Sequence, residues 1–324
     1  MKAPQFWNRK DSKLAKLLNP FGFFYGWSVA RRFKKAHPYQ ADIPVICVGN
    51  LSAGGTGKTP VCLTLGSILK EMNIPFFFLN HGYKSQQQGI LVNPKRMTAF
   101  ETGDEAQLLA TLAPTIVDKH RARGAQLAQK RGAKALIMDD GFQDPALIKT
   151  LSFLVVDGRI GFGNGKLIPA GPLREPIAKG LARADGIIIA GTDDSNTEDI
   201  IKKLAPDIPV FHGRFEPDAE TIQNLKGQEV LAFAGIGKPD KFFDMLTGVG
   251  VPVFKKMPFP DHYFYTRFDV EQLLLEAEDK PIVTTTKDYV KIPQDMRSRI
   301  TVIDGQFTFD KPEEIEALLK GVVS

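Results

Sequence analysis

Only two cysteines occur in the 324 residues, Cys47 and Cys62, too few for a disulfide framework and without the paired spacing of a zinc site. Both lie in apolar stretches and read as small buried fillers, which favours the cytosol. The 29 Gly and 22 Pro form no low-complexity tract, and no internal repeat is found. No apolar run approaches the roughly 20 residues a helix needs to cross a bilayer. Broad basic character is lacking too. Residues 1–36 hold nine basic side chains and one acid, Asp11, so that of the formal +5 this segment carries +8 and residues 37–324 carry −3. General affinity for nucleic acid is a poor explanation of such local charge, and no nucleic-acid partner is expected. What is present is ordinary globular composition, 43% hydrophobic and 24% charged, in a chain long enough for two domains.

The most informative segment is Gly49-Asn50-Leu51-Ser52-Ala53-Gly54-Gly55-Thr56-Gly57-Lys58-Thr59-Pro60. An apolar, β-branched run precedes it, and apolar residues at helical spacing follow. Strand, glycine-rich turn, Lys-Thr and helix is the order of a P-loop. Residues 52–59 would wrap the phosphates of ATP with backbone N–H groups, Lys58 would reach the β- and γ-phosphates, and Thr59 would bind Mg²⁺. The usual glycine at the first loop position is here Ser52.

Residues 17–30 are uncharged and aromatic between Lys16 and Arg31. At 14 residues, with Pro20 and Gly22 expected to shorten the regular part, they are too short to span. The predicted role of residues 1–36 is peripheral or monotopic association with an anionic membrane surface on the cytoplasmic side.

Downstream, residues 74–79 read as a buried strand running into Asn80-His81-Gly82-Tyr83. Gly103-Asp104-Glu105 opens an apolar-periodic helix. The strand at 135–138 ends in Asp139-Asp140-Gly141-Phe142-Gln143, the place of a Mg²⁺-holding acid in P-loop enzymes. Further strands are predicted at 151–156 and 186–191, and the Gly/Pro-rich loop 161–176 carries Arg174, a candidate phosphate clamp. Alternating strands and helices predict an α/β fold, a P-loop kinase-like parallel sheet with helices on both faces over residues 37–210. Strands at 211–220 and 299–309 are expected to form a two-stranded linker to a smaller α/β domain at 221–298. The C-terminal helix, in residues 310–324, is expected to pack back on the core.

Seven segments in order resemble the tetraacyldisaccharide 4′-kinase family of lipid A (lipopolysaccharide) biosynthesis in Gram-negative bacteria. They are 49–60, Gly103-Asp104-Glu105, 139–143, 169–176, 234–239, Phe259-Pro260-Asp261-His262 and Thr286-Lys287-Asp288. The resemblance implies transfer of the γ-phosphate of ATP to the 4′-hydroxyl of a tetraacyldisaccharide 1-phosphate, forming lipid IVA, with Mg²⁺ as cofactor. It places Asp104 as catalytic aspartate with His262 as its partner, Lys58, Asp140, Gln143 and Arg174 at the reaction, and Asp139 and Glu105 with Thr59 on the metal side. It also carries over Asn50 and Tyr83 as substrate contacts. The family's usual Ser-Arg-Gly-Tyr is here Asn80-His81-Gly82-Tyr83, so His81 stands where an arginine is common. His262 would have to reach Asp104 from the smaller domain. A monomer at the cytoplasmic face of the inner membrane is expected. The rival reading is a P-loop switch NTPase or metallochaperone; the guanine-reading Asn/Thr-Lys-x-Asp pattern and a His/Cys delivery cluster are both missing from the sequence.

Overall fold

The computed structural model describes residues 4–323; Lys2 of the basic segment and Ser324 of the expected C-terminal helix lie outside them. The chain begins with α1 (Lys13–Lys35), β1 (Val45–Gly49), α2 (Lys58–Glu71), β2 (Phe76–Asn80) and β3 (Ile90–Leu91). Then follow α3 (Ala99–Thr102), α4 (Asp104–Leu109), β4 (Thr115–Val117), α5 (Arg121–Lys130), β5 (Ala135–Asp139) and β6 (Leu151–Asp157). After a long loop come α6 (Ile177–Leu181), β7 (Gly186–Ala190), α7 (Thr197–Leu204) and β8 (Val210–Pro217). The second part holds α8 (Ala219–Leu225), β9 (Val230–Ala234), α9 (Pro239–Gly248), β10 (Val253–Pro258), α10 (Arg267–Glu276), β11 (Ile282–Thr285) and α11 (Thr286–Tyr289). The last elements are β12 (Thr301–Ile303), β13 (Gly305–Phe309) and α12 (Pro312–Val323).

Nine strands form one sheet in the order β13-β8-β7-β6-β1-β5-β2-β4-β3. It is parallel except at its two edges, where β13 and β3 run antiparallel to their neighbours. β1, β2, β5 and β6 are buried along their whole length, as strands covered on both faces must be. Alternation along β1 sends Val45 and Cys47 to one core with α5, α6 and α7, and Ile46 and Val48 to the other with α2 and α12. The expected helices on both faces are therefore present. Because β1 lies between β5 and β6, the P-loop leaves the sheet at its centre, where the chain switches direction of winding.

The smaller sheet, β10-β9-β11-β12, is parallel, with α8 and α9 packed on one face and α10 on the other. Two expectations are corrected here. Residues 299–309 are not one strand: β12 pairs with β11 in the small sheet, and after Asp304 β13 pairs with β8 in the large one. β8 is likewise shared, parallel to β7 over 210–213 and antiparallel to β13 over 213–217. The connection is thus an extension of the large sheet.

The second correction concerns the N-terminal segment. α1 is one helix of 23 residues that runs through Pro20 and Gly22. A proline removes one backbone bond and strains the preceding turn, but tertiary contacts hold this helix on both sides of it. The Ser12 hydroxyl caps the start by accepting from Ala15 N, and Ala15 is buried. Gly22 and Gly26 let the helix lie on Leu167; a methyl group at Gly26 would come within 2.7 Å of that side chain. Further along, Arg32 Nη2 donates to Gln143 O at 2.7 Å. The opposite side leaves Leu14, Leu17, Phe21 and Phe24 exposed along one stripe, flanked by exposed Phe23 and Trp27. No helix among the described residues is long and apolar enough to cross a membrane.

Candidate active site

The P-loop is held from below and open above. Gly54 and Gly57 take φ of 124° and 93°, and a Cβ built on Gly54, Gly55 or Gly57 would meet nothing within 4 Å. Backbone N–H groups can therefore come close to a phosphate chain at the start of α2. Ser52 needs no glycine, because it forms a bridge with Leu173, beside bonds from Ala53 N to Pro172 O and from Arg174 N to Leu51 O. Loop 161–176 is thus ordered by the P-loop and by α1.

Asn50 requires a correction. It is fully buried beneath the loop, and its amide donates to Thr56 Oγ1 at 3.2 Å and to Gly54 O at 3.4 Å. A side chain with no open face braces the P-loop and does not meet an acceptor. Gln143 has a similar place: its amide donates to Asn50 O and Glu175 Oε1, and its Oε1 accepts from Arg174. It orients Arg174 and supports the loop without facing the open side.

The strand-end carboxylates have distinct surroundings. Asp139 Oδ2 accepts from Thr59 Oγ1 and Asn80 Nδ2, each at 3.2 Å, while its buried Oδ1 has no hydrogen-bond partner among the described residues. Burial first, then the neighbouring Glu105 and Asp140 charges, pushes Asp139 up to about 7 against the pull of Lys58 and Arg121. Asp140 sits at a left-handed φ of 51° and faces Lys58 at 3.7 Å and Arg174 at 3.1 Å. Burial would raise it too, but Lys58, Arg174 and Arg121 hold it below the usual carboxylate range. An orphaned carboxylate oxygen beside a threonine hydroxyl fits a hard divalent cation. Among the described residues no three His, Cys, Asp or Glu side chains form a metal cage. Mg²⁺ commonly uses one or two carboxylates together with phosphate oxygens, which suits Thr59 and Asp139.

Asp104, at the start of α4, and His262, in the loop after β10, come from different lobes and meet. His262 Nδ1 lies 2.8 Å from Asp104 Oδ2. An ionised carboxylate only accepts, so the histidine donates here. Asp104 is 4% exposed; burial would raise it, but the His262 hydrogen bond and the Lys287 and Lys291 ammonium groups hold it well below the usual range. Its start-of-helix position depends on Gly103, whose φ is 89° and where a Cβ would lie 3.1 Å from Tyr83 O. His262 itself has φ of 57°, a strained conformation that its bond from N to Gly235 O supports. Tyr83, 58% exposed, lies with its ring 5.1 Å from the His262 ring. The lobes are closed on one another. Gly237 approaches the P-loop at Gly55, and Asp157, at the end of β6, pairs with Lys238 and Lys241 at 2.8 and 2.6 Å.

A profile of the tetraacyldisaccharide-1-P 4′-kinase family matches residues 14–324. The chain belongs to that family. A tetraacyldisaccharide 4′-kinase of Rhodospirillum centenum is 43% identical over 331 residues, covering 100% of this chain and 97% of the relative. One from Paramagnetospirillum magneticum is 44% identical, with 98% of each covered. Among solved structures, LpxK of Aquifex aeolicus in complex with ATP superposes with a TM-score of 0.78 at 28% identity, over 96% of this chain and 100% of that one.

This 4′-kinase family member also holds residues that sequence reasoning passed over. Arg121, 2% exposed, donates to Leu79 O, Asp139 O and Asp140 O and so fixes the ends of β2 and β5. Nothing in its local sequence marks it. Lys287 stands in the Thr286-Lys287-Asp288 segment, and Lys291 follows four residues on, the spacing that brings two side chains to one side of a helical turn. Lys291 is buried between Asp288 at 2.8 Å and Asp104 at 3.8 Å. Glu105, expected on the metal side, is turned to Lys287 at 3.2 Å. His81 makes no side-chain hydrogen bond or ion pair among the described residues; it is exposed, and its imidazole is lowered in pKa by partial desolvation and then by Arg121.

Proposed function

We propose that this chain transfers the γ-phosphate of ATP to the 4′-hydroxyl of a tetraacyldisaccharide 1-phosphate, with Asp104 as the proton acceptor. The observation that carries this reading is the 2.8 Å contact between Asp104 and His262, formed across two lobes and opposite the open P-loop. A sugar hydroxyl is a poor nucleophile, and a carboxylate oriented by an imidazole is a suitable acceptor for its proton. Lys58 and Arg174 are the cations for the phosphate oxygens, and Asp140 keeps both aimed at one point. Mg²⁺ held at Thr59 and Asp139 would neutralise charge on the β- and γ-phosphate oxygens. Residues 37–210 act as the donor-binding lobe and 221–298 as the lobe that brings His262, with Tyr83 touching the acceptor at the mouth between them.

Incubation with γ-labelled ATP and a lipid disaccharide monophosphate tests the reading. Label in the lipid supports it, whereas free phosphate released at the same rate without lipid favours a switch NTPase.

We further propose that α1 rests on the anionic cytoplasmic face of the inner membrane. Its exposed stripe of Leu14, Leu17, Phe21 and Phe24 suits the acyl boundary, and the flanking lysines and arginines contribute about 1 kcal/mol each near anionic headgroups. A buried aromatic is worth roughly 1.5–3 kcal/mol. Phe21→Ser with Phe24→Ser is therefore expected to weaken sedimentation with phosphatidylglycerol vesicles about 10²- to 10⁴-fold. Unchanged sedimentation would remove α1 from the membrane.

A further inference from the structure

Lys287 reaches the reaction centre from the second lobe on an unusually well-fixed turn. The next residue, Asp288, is fully buried and accepts from Gly235 N, Tyr265 OH, Thr285 Oγ1 and Lys291 Nζ at 2.7–3.0 Å. α11 is thereby pinned to β9, β11 and the loop leading to α10, and Lys287 projects from it across the lobe boundary. Its ammonium lies 3.2 Å from Glu105 Oε1 and 3.8 Å from Asp104 Oδ2, with 22% of the side chain exposed. Burial would lower it, but Glu105, Asp104 and Asp261 keep it firmly charged.

The reaction geometry gives that charge a use. A hydroxyl hydrogen-bonded to Asp104 sits about 2.5–3.0 Å from the carboxylate, and a reacting phosphorus lies about 3–3.5 Å beyond it. The transferring group is therefore about 6 Å from the Asp104 oxygen, whereas Lys287 is already 3.8 Å from that oxygen. Both distances are taken from the same carboxylate oxygen, so the ammonium stands in the neighbourhood of the transferring group.

We propose that Lys287 is a catalytic cation supplied by the second lobe, which leaves Glu105 and binds a non-bridging oxygen of the γ-phosphoryl group during transfer. In that step the acceptor oxygen forms its bond to phosphorus, the bond from phosphorus to the β-phosphate oxygen breaks, ADP leaves, and the hydroxyl proton passes to Asp104. Glu105, released, turns toward Thr59 and Asp139. Lobe closure and charge stabilisation thus become one event, because the cation is present only when the lobes meet. The proposal rests on the kinase reading above.

The test uses the full chain as Lys287→Met and Lys287→Arg. Titration calorimetry gives the Kd for Mg·ATP and for ADP with aluminium fluoride, a mimic of the transferring group, and label transfer to the lipid gives kcat. For Lys287→Met, kcat and affinity for the fluoride complex should both fall about 10²- to 10³-fold, with the ATP Kd within about threefold. Lys287→Arg should recover at least a tenth of the wild-type kcat. A loss of ATP affinity as large as the loss of kcat would overturn the proposal in favour of a lobe-docking role, and so would an unchanged kcat. Retained ATP binding in Lys287→Met certifies its fold; should that variant not fold, Lys287→Gln is measured against the same criteria. If the wild-type chain itself moves no label to lipid, the kinase reading fails first, and the wild-type control separates that failure from this one.

Discussion

Asp104→Ala is expected to lower kcat by about 10²- to 10⁴-fold, the usual worth of a positioned general base, while the Kd for ATP changes by no more than a few-fold. The asymmetry follows from position. Asp104 opens α4 and is tied to His262, whereas Lys58, Arg174 and Asp140 form a separate cluster at the P-loop. Titration calorimetry beside label transfer measures both quantities. Abolished ATP affinity in Asp104→Ala would replace the base assignment with a metal-ligand role. His262→Ala should add a shift with a definite sign. Burial pushes the Asp104 pKa up and His262, Lys287 and Lys291 pull it down. Removing the imidazole therefore raises it, so the acid limb of kcat/KM moves to higher pH. A limb that stays in place would mean that Asp104 does not set it.

The sequence made local features legible where one short segment determines its own geometry. The P-loop, the carboxylates ending β5 and the glycine before Asp104 each follow from neighbours in the chain. So did the buried strands, whose short apolar, β-branched runs suit a sheet covered on both faces. What stayed hidden depends on distant contacts. Pro20 predicts a break in any isolated helix, yet α1 continues because Leu167, more than a hundred residues away, lies against Gly22 and Gly26. Residues 299–309 carry one extended pattern, and only pairing shows that it serves two sheets. Asn50 illustrates the same limit at the site. Its motif announced importance, but whether its amide faces a substrate or the underside of a loop depends on folding. Arg121 and Lys291 are ordinary basic residues until burial gives them partners.

Asp139→Asn is expected to stabilise the protein in EDTA at pH 8 while removing most of its activity. The wild-type carboxylate is buried, accepts two hydrogen bonds on Oδ2 and leaves Oδ1 without a partner among the described residues. Its folded pKa of about 7 lies above the ordinary 3.8. A carboxyl raised on folding holds its proton more tightly in the native state. Its effect on stability is therefore absent below about pH 4, grows as the pH rises toward 7, and is complete above that. At 1.36 kcal/mol per unit, an upward shift of this kind is a destabilisation on the order of a few kcal/mol at pH 8. Asparagine keeps an oxygen for Thr59 and Asn80 but carries no charge. Melting curves in EDTA should thus show Asp139→Asn several degrees above wild type at pH 8, with the gap closing toward pH 4. Mg·ATP should narrow the gap at pH 8 by stabilising the wild type more than the variant, since the carboxylate then meets a cation. A variant that melts below wild type at pH 8 in EDTA would mean that Asp139 anchors the fold through its two hydrogen bonds. The strained charge would then have no part in readying the site for its metal.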